Sequence, residues 1–393
     1  MADEQEICPV SKYEAIIESP DDSTGPLTFG IELEFLVAFL DWEPDPHPQE
    51  ERRLLRAEDR LSAPRSAIDH ELLHVLEPSH NVSCRLESSD THCGTQGVLI
   101  QYNQWRIDGD GSLSTDDYFA GYRFLGREIT SEVMRADEPI AYTEKITDVC
   151  RAIRQMRVHI NETAGMHVHV GRGEESFSLL TMKKLATIIW LTEKMLLGLH
   201  HPSRKESIYC ILLRDESLLR IKAADTNSIS NNILRIAREE RMDEFIPRPA
   251  SLEATKTIEE LAGLMSAPDN PDLSRGAMSF TRFLPAAPGV GNIHTIEFRQ
   301  MAGSLDPGPI IHWAKVCMAI VDFARLSTAP RYKELIARII EEEATFTGLD
   351  LLSELDLPEE EQYFRGKMMD YSRGNLEFYE GERPGCPFLS TLE

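Results

Sequence analysis

Thirteen residues near the start of the chain, TFGIELEFLVAFL (28–40), constrain it most. They are aliphatic, aromatic and β-branched almost throughout, the composition of a strand deep in a sheet. Yet Glu32 and Glu34 sit inside the run, two residues apart. Successive side chains of a strand point to opposite faces, so the two carboxylates share one face and Ile31, Leu33 and Phe35 take the other. Such a strand needs a core on one side and either solvent or a polar cavity on the other.

The same device recurs twice. In GMHVHVG (165–171) His167 and His169 share a face, opposed by Met166, Val168 and Val170. In HTIEFRQ (294–300) Glu297 and Arg299 share one, opposed by Ile296 and Phe298. Solvated strand faces favour Thr, Lys, Ser and Gln. Three strands that offer only Glu, His and Arg at alternate positions indicate one polar cavity. RIDGDGSL (106–113) adds Asp108, Asp110 and Ser112, although Asp110-Gly111 is also a common turn pair. FLGREITS (124–131) adds Glu128, which an exposed strand position would equally explain.

Glu32, Glu34, Glu128 and Glu297 cannot crowd one cavity as bare anions. Two unit charges 4 Å apart repel by about 4 kcal/mol at an effective dielectric of about 20. Either some are protonated or cations sit among them. Several carboxylates with one histidine form a hard, oxygen-rich ligand set that suits Mg²⁺ or Mn²⁺. Zinc competes if both histidines bind one ion.

The rest of the pattern is mixed. Residues 1–26 are polar, and 41–96 form a long Pro-rich and turn-rich excursion with short helices expected over 53–61 and 66–76. Strands are expected over 97–107, 122–132, 275–284 and 292–303. Helical spacing covers 139–157, with Ile140, Ile146, Val149, Ile153 and Met156 on one face, and 178–200 forms a long apolar helix. Residues 204–265 read as mostly helical. So does the stretch from Pro307 onward, up to a tail at 383–393 expected to be disordered.

The balance of 41 Lys+Arg against 66 Asp+Glu leaves a formal charge of −25, which repels nucleic acid and anionic membranes and sets both aside as partners. Seven scattered cysteines without a CxxC pair fit reduced thiols in the cytoplasm or nucleus. The acidic N-terminus has no apolar h-region, and the longest apolar run is broken by Glu193 and Lys194, so neither a secretory signal nor a membrane span is expected.

GIELE, GMHVHVG and IEFRQ, in that order, resemble the glutamine synthetase and glutamate–cysteine ligase superfamily. Within it the chain is most similar to the fungal-type amidoligase branch. The matching positions are Gly30/Glu32/Glu34, Asp110/Gly111/Ser112, Glu128/Ser131, Gly165/His167/His169, Glu297/Phe298/Arg299 and Trp313. Two departures stand out: Ser279 where the branch has Asn, and Glu132 where it has Pro. The resemblance implies an α+β fold in which a curved antiparallel sheet, flanked by helices, forms a funnel with ATP at one mouth and an acid substrate at the other. It implies that Glu32, Glu34, Glu128, His167 and Glu297 hold divalent metal, that His169 contacts an ATP phosphate, and that Arg299 neutralises the transferred phosphoryl group.

The chemistry expected is ATP-dependent joining of an acid to an amine through an acyl phosphate, the substrates being small molecules or peptides. No Walker A or Gly-rich phosphate loop is present. Arg204, Arg275 and Ser112 are further candidates to contact ATP, and the two arginines could equally hold the acid substrate. His200 and His201 read as structural. The catalytic domain is expected over 27–330, with 331–393 a helical extension. A zinc or iron enzyme built on the two histidines plus a glutamate is the competing reading, followed by a non-catalytic binding member of the same family.

Overall fold

The computed structural model describes residues 24–41, 43–56, 64–79, 82–86, 102–115, 119–219, 255–266, 276–285, 293–376, 378 and 388–392. Among them the strands are β1 (Thr28–Leu40), β2 (Leu55–Arg56), β3 (Cys84–Leu86), β4 (Trp105–Gly109), β5 (Arg123–Thr130), β6 (Met134–Arg135), β7 (Val158–His159), β8 (Gly165–Gly171), β9 (Met278–Ser279) and β10 (Ile296–Ala302). They form one open sheet in the order β3-β4-β5-β1-β8-β10-β9, with β2, β6 and β7 extending the edges of β1.

β1 is the hub of this sheet. One edge pairs antiparallel with β5 and β6; the other pairs antiparallel with β8 and β7 and parallel with β2. β3 and β4 are also parallel. The sheet is therefore mixed rather than purely antiparallel as expected, and open. Ten strands with eight labelled helices make the fold α+β.

The helices are α1 (Pro64–Leu76), α2 (Pro139–Ile153), α3 (Leu179–Leu197), α4 (Ile258–Leu264), α5 (Pro307–Leu326), α6 (Ala329–Glu341), α7 (Gly348–Glu354) and α8 (Pro358–Ser372). Helix α5 packs on β8, α2 and α3. The apolar face of β1, with Ile31, Leu33 and Phe35 all 0% exposed, joins Val168, Phe298 and Trp313 in one continuous core. Phe298 and Trp313 meet edge to face at 6.2 Å. No helix among the described residues is long and apolar enough to cross a membrane.

Several expectations need correction. The helix placed over 53–61 is replaced by the short strand β2 in its first part, because Leu55 and Arg56 extend the ladder at the end of β1; residues 57–63 lie outside the described residues. The strand placed over 275–284 shrinks to Met278–Ser279, followed by a 3₁₀ turn at Thr281–Phe283. Residues 97–101 and 220–254 lie outside the described residues; residues 102–104 are not strand, so β4 begins at Trp105, and the helical reading of 204–265 meets the 3₁₀ turn Pro202–Lys205, the turn Leu213–Glu216 and α4. Ile140 is 75% exposed, and Tyr142 takes its place on the buried face of α2, with Ile146, Val149 and Ile153. Met156 is buried beyond the helix end. In the tail, Phe388 and Leu389 are buried.

Candidate active site

The register places the polar positions side by side. Glu32 pairs with Thr130 on one neighbour and with His167 on the other. Glu34 pairs with Glu128, Asp108 also pairs with Glu128, and Glu297 pairs with both His169 and Ser279. Directly opposed residues of neighbouring strands share a face. One surface of the sheet therefore gathers four glutamates and both histidines, as the period-two reading expects.

Near β10 the contacts are close. His167 Nδ1 lies 2.9 Å from Glu32 Oε2 and its Nε2 lies 3.4 Å from Glu34 Oε1. His169 Nε2 lies 3.0 Å from Glu32 Oε1, and its Nδ1 lies 3.3 Å from the Thr295 hydroxyl. Arg299 donates from Nη1 to Glu297 and stands 3.3 Å from His167 Nδ1. Its Nε donates to the Tyr209 carbonyl at 3.4 Å.

A bulge makes this reach possible. The β10–β8 register shifts between Phe298 and Met301, so that Arg299 and Gln300 together face the single residue His167. A bulge of this kind re-aims a side chain and recurs beside active sites. The alternation of HTIEFRQ gives no sign of it.

The electrostatics divide the site in two. Burial raises the Glu32 carboxyl, but His169 and His167 outweigh that and hold it well below its ordinary range. Burial likewise opposes ionisation of Glu297, but Arg299 and His169 bring it down to about 2. Glu34 is raised, chiefly by burial and further by Asp110, against the pull of His167. Glu128 is raised well above its ordinary value by burial and then by Glu32 and Glu34. For the first pair the neighbouring histidines and Arg299 outweigh burial; for the second pair burial wins.

Two donor groups follow. Ligand atoms of Glu32, His169 and Glu297 lie within 4.8 Å of one another, and so do those of Glu34, Asp110 and Glu128. An all-carboxylate set of three, in which burial and then neighbouring carboxylates raise Glu34 and Glu128, fits a hard divalent cation, which would offset both effects. Histidine in the first set permits the same ion or a softer one.

The turn after β4 positions Asp110. Its Oδ1 accepts from the Ser112 amide at 2.7 Å and from the Ser112 hydroxyl at 2.6 Å. Ser112 thus spends its hydroxyl proton on fixing Asp110. Gly126 lets this turn approach, since a Cβ there would collide with the Asp110 carbonyl. Asp110 joins this donor group although Asp-Gly reads locally as a turn; its place in the DGDGS stretch is the only sequence signal for it.

Arg204 is 1% exposed and donates from Nη2 to the Arg299 carbonyl at 2.8 Å. It supports the strand that carries Arg299. Arg275 lies outside the described residues. His200 packs edge to face on Trp313 at 4.2 Å, His201 accepts from the Ser203 amide, and His294 stacks on Phe283 at 5.6 Å, all in line with structural parts. Ser279, the departure from the expected Asn, is buried and bonded to Thr281 at 2.8 Å.

The chain matches the family model described as "putative amidoligase enzyme" over residues 25–321, and it belongs to that family. No curated protein matches it.

Proposed function

We propose that the protein is an ATP-dependent ligase that joins a carboxylic acid to an amine. Family membership supports a ligase in general terms. The observation that carries the finer reading is the position of Arg299, only 7% exposed, against Glu297 and within a face of carboxylates.

A carboxylate is a poor electrophile. Its oxygen attacks the γ-phosphorus of ATP, the bond to the bridging oxygen breaks, and ADP leaves. The amine nitrogen then attacks the acyl carbon, the carbon–oxygen bond to phosphate breaks, and the amine gives up a proton. Anionic nucleotide and anionic acid must meet, so charge has to be neutralised where it develops. Glu32, His169 and Glu297, and Glu34, Asp110 and Glu128, are the residues that would hold Mg²⁺ or Mn²⁺. Such ions supply Lewis-acid charge to phosphate oxygens. Arg299, with a planar fork and a charge that Glu297 and Glu34 sustain, faces the transferred phosphoryl group. His167 and His169 orient Glu32. Arg204 positions Arg299 through its carbonyl.

Arg299 also separates this reading from a zinc or iron site on the two histidines. A guanidinium 3.3 Å from His167 Nδ1 opposes a metal at that nitrogen and suits an anion nearby. The test is a screen of acid and amine pairs for phosphate released from ATP, with and without Mg²⁺, products read by mass. We expect Mg²⁺-dependent release for some pair, and a fall of about 10²-fold or more in kcat for Arg299→Ala. Equal turnover in the Arg299→Ala variant would remove the phosphoryl role. Failure of every pair, together with no Mg²⁺–ATP binding, would leave a non-catalytic family member.

A further inference from the structure

Of the two arginines singled out in the sequence as candidate ATP contacts, Arg204 donates from Nη2 to the Arg299 carbonyl, and Arg275 lies outside the described residues. A different arginine stands in the right place. A cavity opens at the His169 end of the polar face, and its walls are mostly apolar. Tyr102, Val133 and Ile293 form those walls, while Glu32 and His169 line it together with Arg282. Val133 is 49% exposed, whereas the Glu32 and His169 side chains keep only 12% and 13%. The apolar wall therefore lies toward the mouth and the ionic groups lie at depth.

Arg282 sits on the 3₁₀ turn Thr281–Phe283 after β9 and is half-buried. Among the described residues of this acidic chain its guanidinium carries no hydrogen bond, ion pair or ring contact, although Arg204 and Arg299 are engaged. Burying an arginine part-way without an anion is unfavourable, so an unpartnered one on a cavity wall marks a place for a ligand's negative charge.

We propose that this cavity seats the nucleoside triphosphate, with its base against Tyr102, Val133 and Ile293, its phosphates toward Glu32 and His169, and Arg282 as the clamp on the phosphate chain. Tyr102 suits the base wall, because the Arg106 guanidinium lies 5.5 Å from the centroid of its ring and braces it. The fork of Arg282 matches phosphate oxygens in the same way that Arg299 matches the group in transfer, but at the nucleotide and not at the acid. The inference rests on the ATP reading above and adds the residue that binds and the direction of entry.

Calorimetry with Mg²⁺–ATP on the full chain tests it. Arg282→Ala is expected to weaken binding about tenfold or more, the range for a charge-assisted contact, and Arg282→Lys, which keeps the charge but not the fork, to recover part of that. Val133→Asp, which sets a carboxylate in the wall assigned to the base, is expected to weaken binding as well. Circular dichroism and melting temperature should stay close to the parent's, since neither side chain belongs to the core. Mg²⁺–ATP affinity within about twofold of the parent in Arg282→Ala would overturn the clamp while leaving the ligase reading intact, and the same result in Val133→Asp would overturn the base wall. A parent protein that binds no Mg²⁺–ATP would overturn both this inference and the reading beneath it.

Discussion

At the scale of single residues, Gly165 shows how little slack the site has. A Cβ at this position would stand 2.8 Å from His167 Nε2 and 3.2 Å from both Glu34 Oε2 and Arg204 Nη2. The Gly165 amide also donates to Glu34 at 2.6 Å. One methyl group thus presses on a histidine, a glutamate and the arginine behind Arg299. We expect Gly165→Ala to lower turnover by about 10²-fold, the scale of a 1 Å misplacement of catalytic groups, while costing only about 1–3 kcal/mol of stability, as overpacking does. Steady-state phosphate release beside a melting curve checks this; a variant with parental kcat would show that the cluster tolerates displacement. Glu32, Glu34, His167, His169, Glu297 and Arg299 were legible because a period of two is a local property. Asp110 was ambiguous because Asp-Gly is a turn signal whatever its surroundings. Arg282 was illegible: it lies on a 3₁₀ turn, and no spacing links it to His169, with which it lines one cavity only through the fold.

At the scale of elements, the long helix α3 carries the clearest electrostatic consequence outside the site. Glu193, one of the two charges that interrupt its apolar run, is 0% exposed. Its oxygens accept from the Leu213 and Arg214 amides, each at 2.7 Å, and so cap the turn Leu213–Glu216. Burial nonetheless outweighs these amides and raises the carboxyl to about 7, against 4.5 for the free group. A folded value above the unfolded one means that the folded state holds the proton more tightly. The resulting stability is fully present below pH 4.5 and is lost as pH rises through about 7. At 1.36 kcal/mol per unit the change amounts to about 3 kcal/mol. Glu193→Gln cannot titrate and gives up one amide acceptor. It should be clearly less stable than the parent near pH 5, and the gap should narrow by pH 8. Denaturant melts of both proteins across that range decide it, and a gap independent of pH would mean that Glu193 stays ionised throughout. The strands β1 and β8 and the helices α2, α3 and α5 were readable from period and composition. The β10 bulge and the shortening of β9 were not, because both depend on pairing across strands.

At the scale of the whole molecule, the chain closes on itself through its last residues. Phe388 and Leu389 are 3% and 0% exposed, and Phe388 packs with Ala38, Leu40 and Tyr122 at the far end of β1. The Leu389 amide donates to the Val158 carbonyl at 3.1 Å, which fixes the tail alongside β7. Arg154, 1% exposed, donates to the Ser390 carbonyl and hydroxyl and also to Asp306, which precedes α5. One guanidinium therefore ties the end of α2, the start of α5 and the tail together. Read locally, RPGCPFLSTLE has the Pro and Gly content of a disordered end; its partners lie more than two hundred positions away in sequence, beyond the reach of any window. Deleting residues 388–393 would uncover the Leu40–Tyr122 cluster and leave Arg154 with Asp306 alone. Two large apolar side chains contribute about 1.5–3 kcal/mol each when buried, so the truncated chain should lose about 3–6 kcal/mol. Mg²⁺–ATP affinity should hold, because Glu32 lies about eight residues along β1 from Leu40, on the order of 26 Å at about 3.3 Å per residue. A thermal melt and a titration on the same sample separate the two effects. Unchanged stability would mean that the tail merely rests on the sheet; lost nucleotide affinity in a chain still folded would mean that it governs the site at the other end of the same strand.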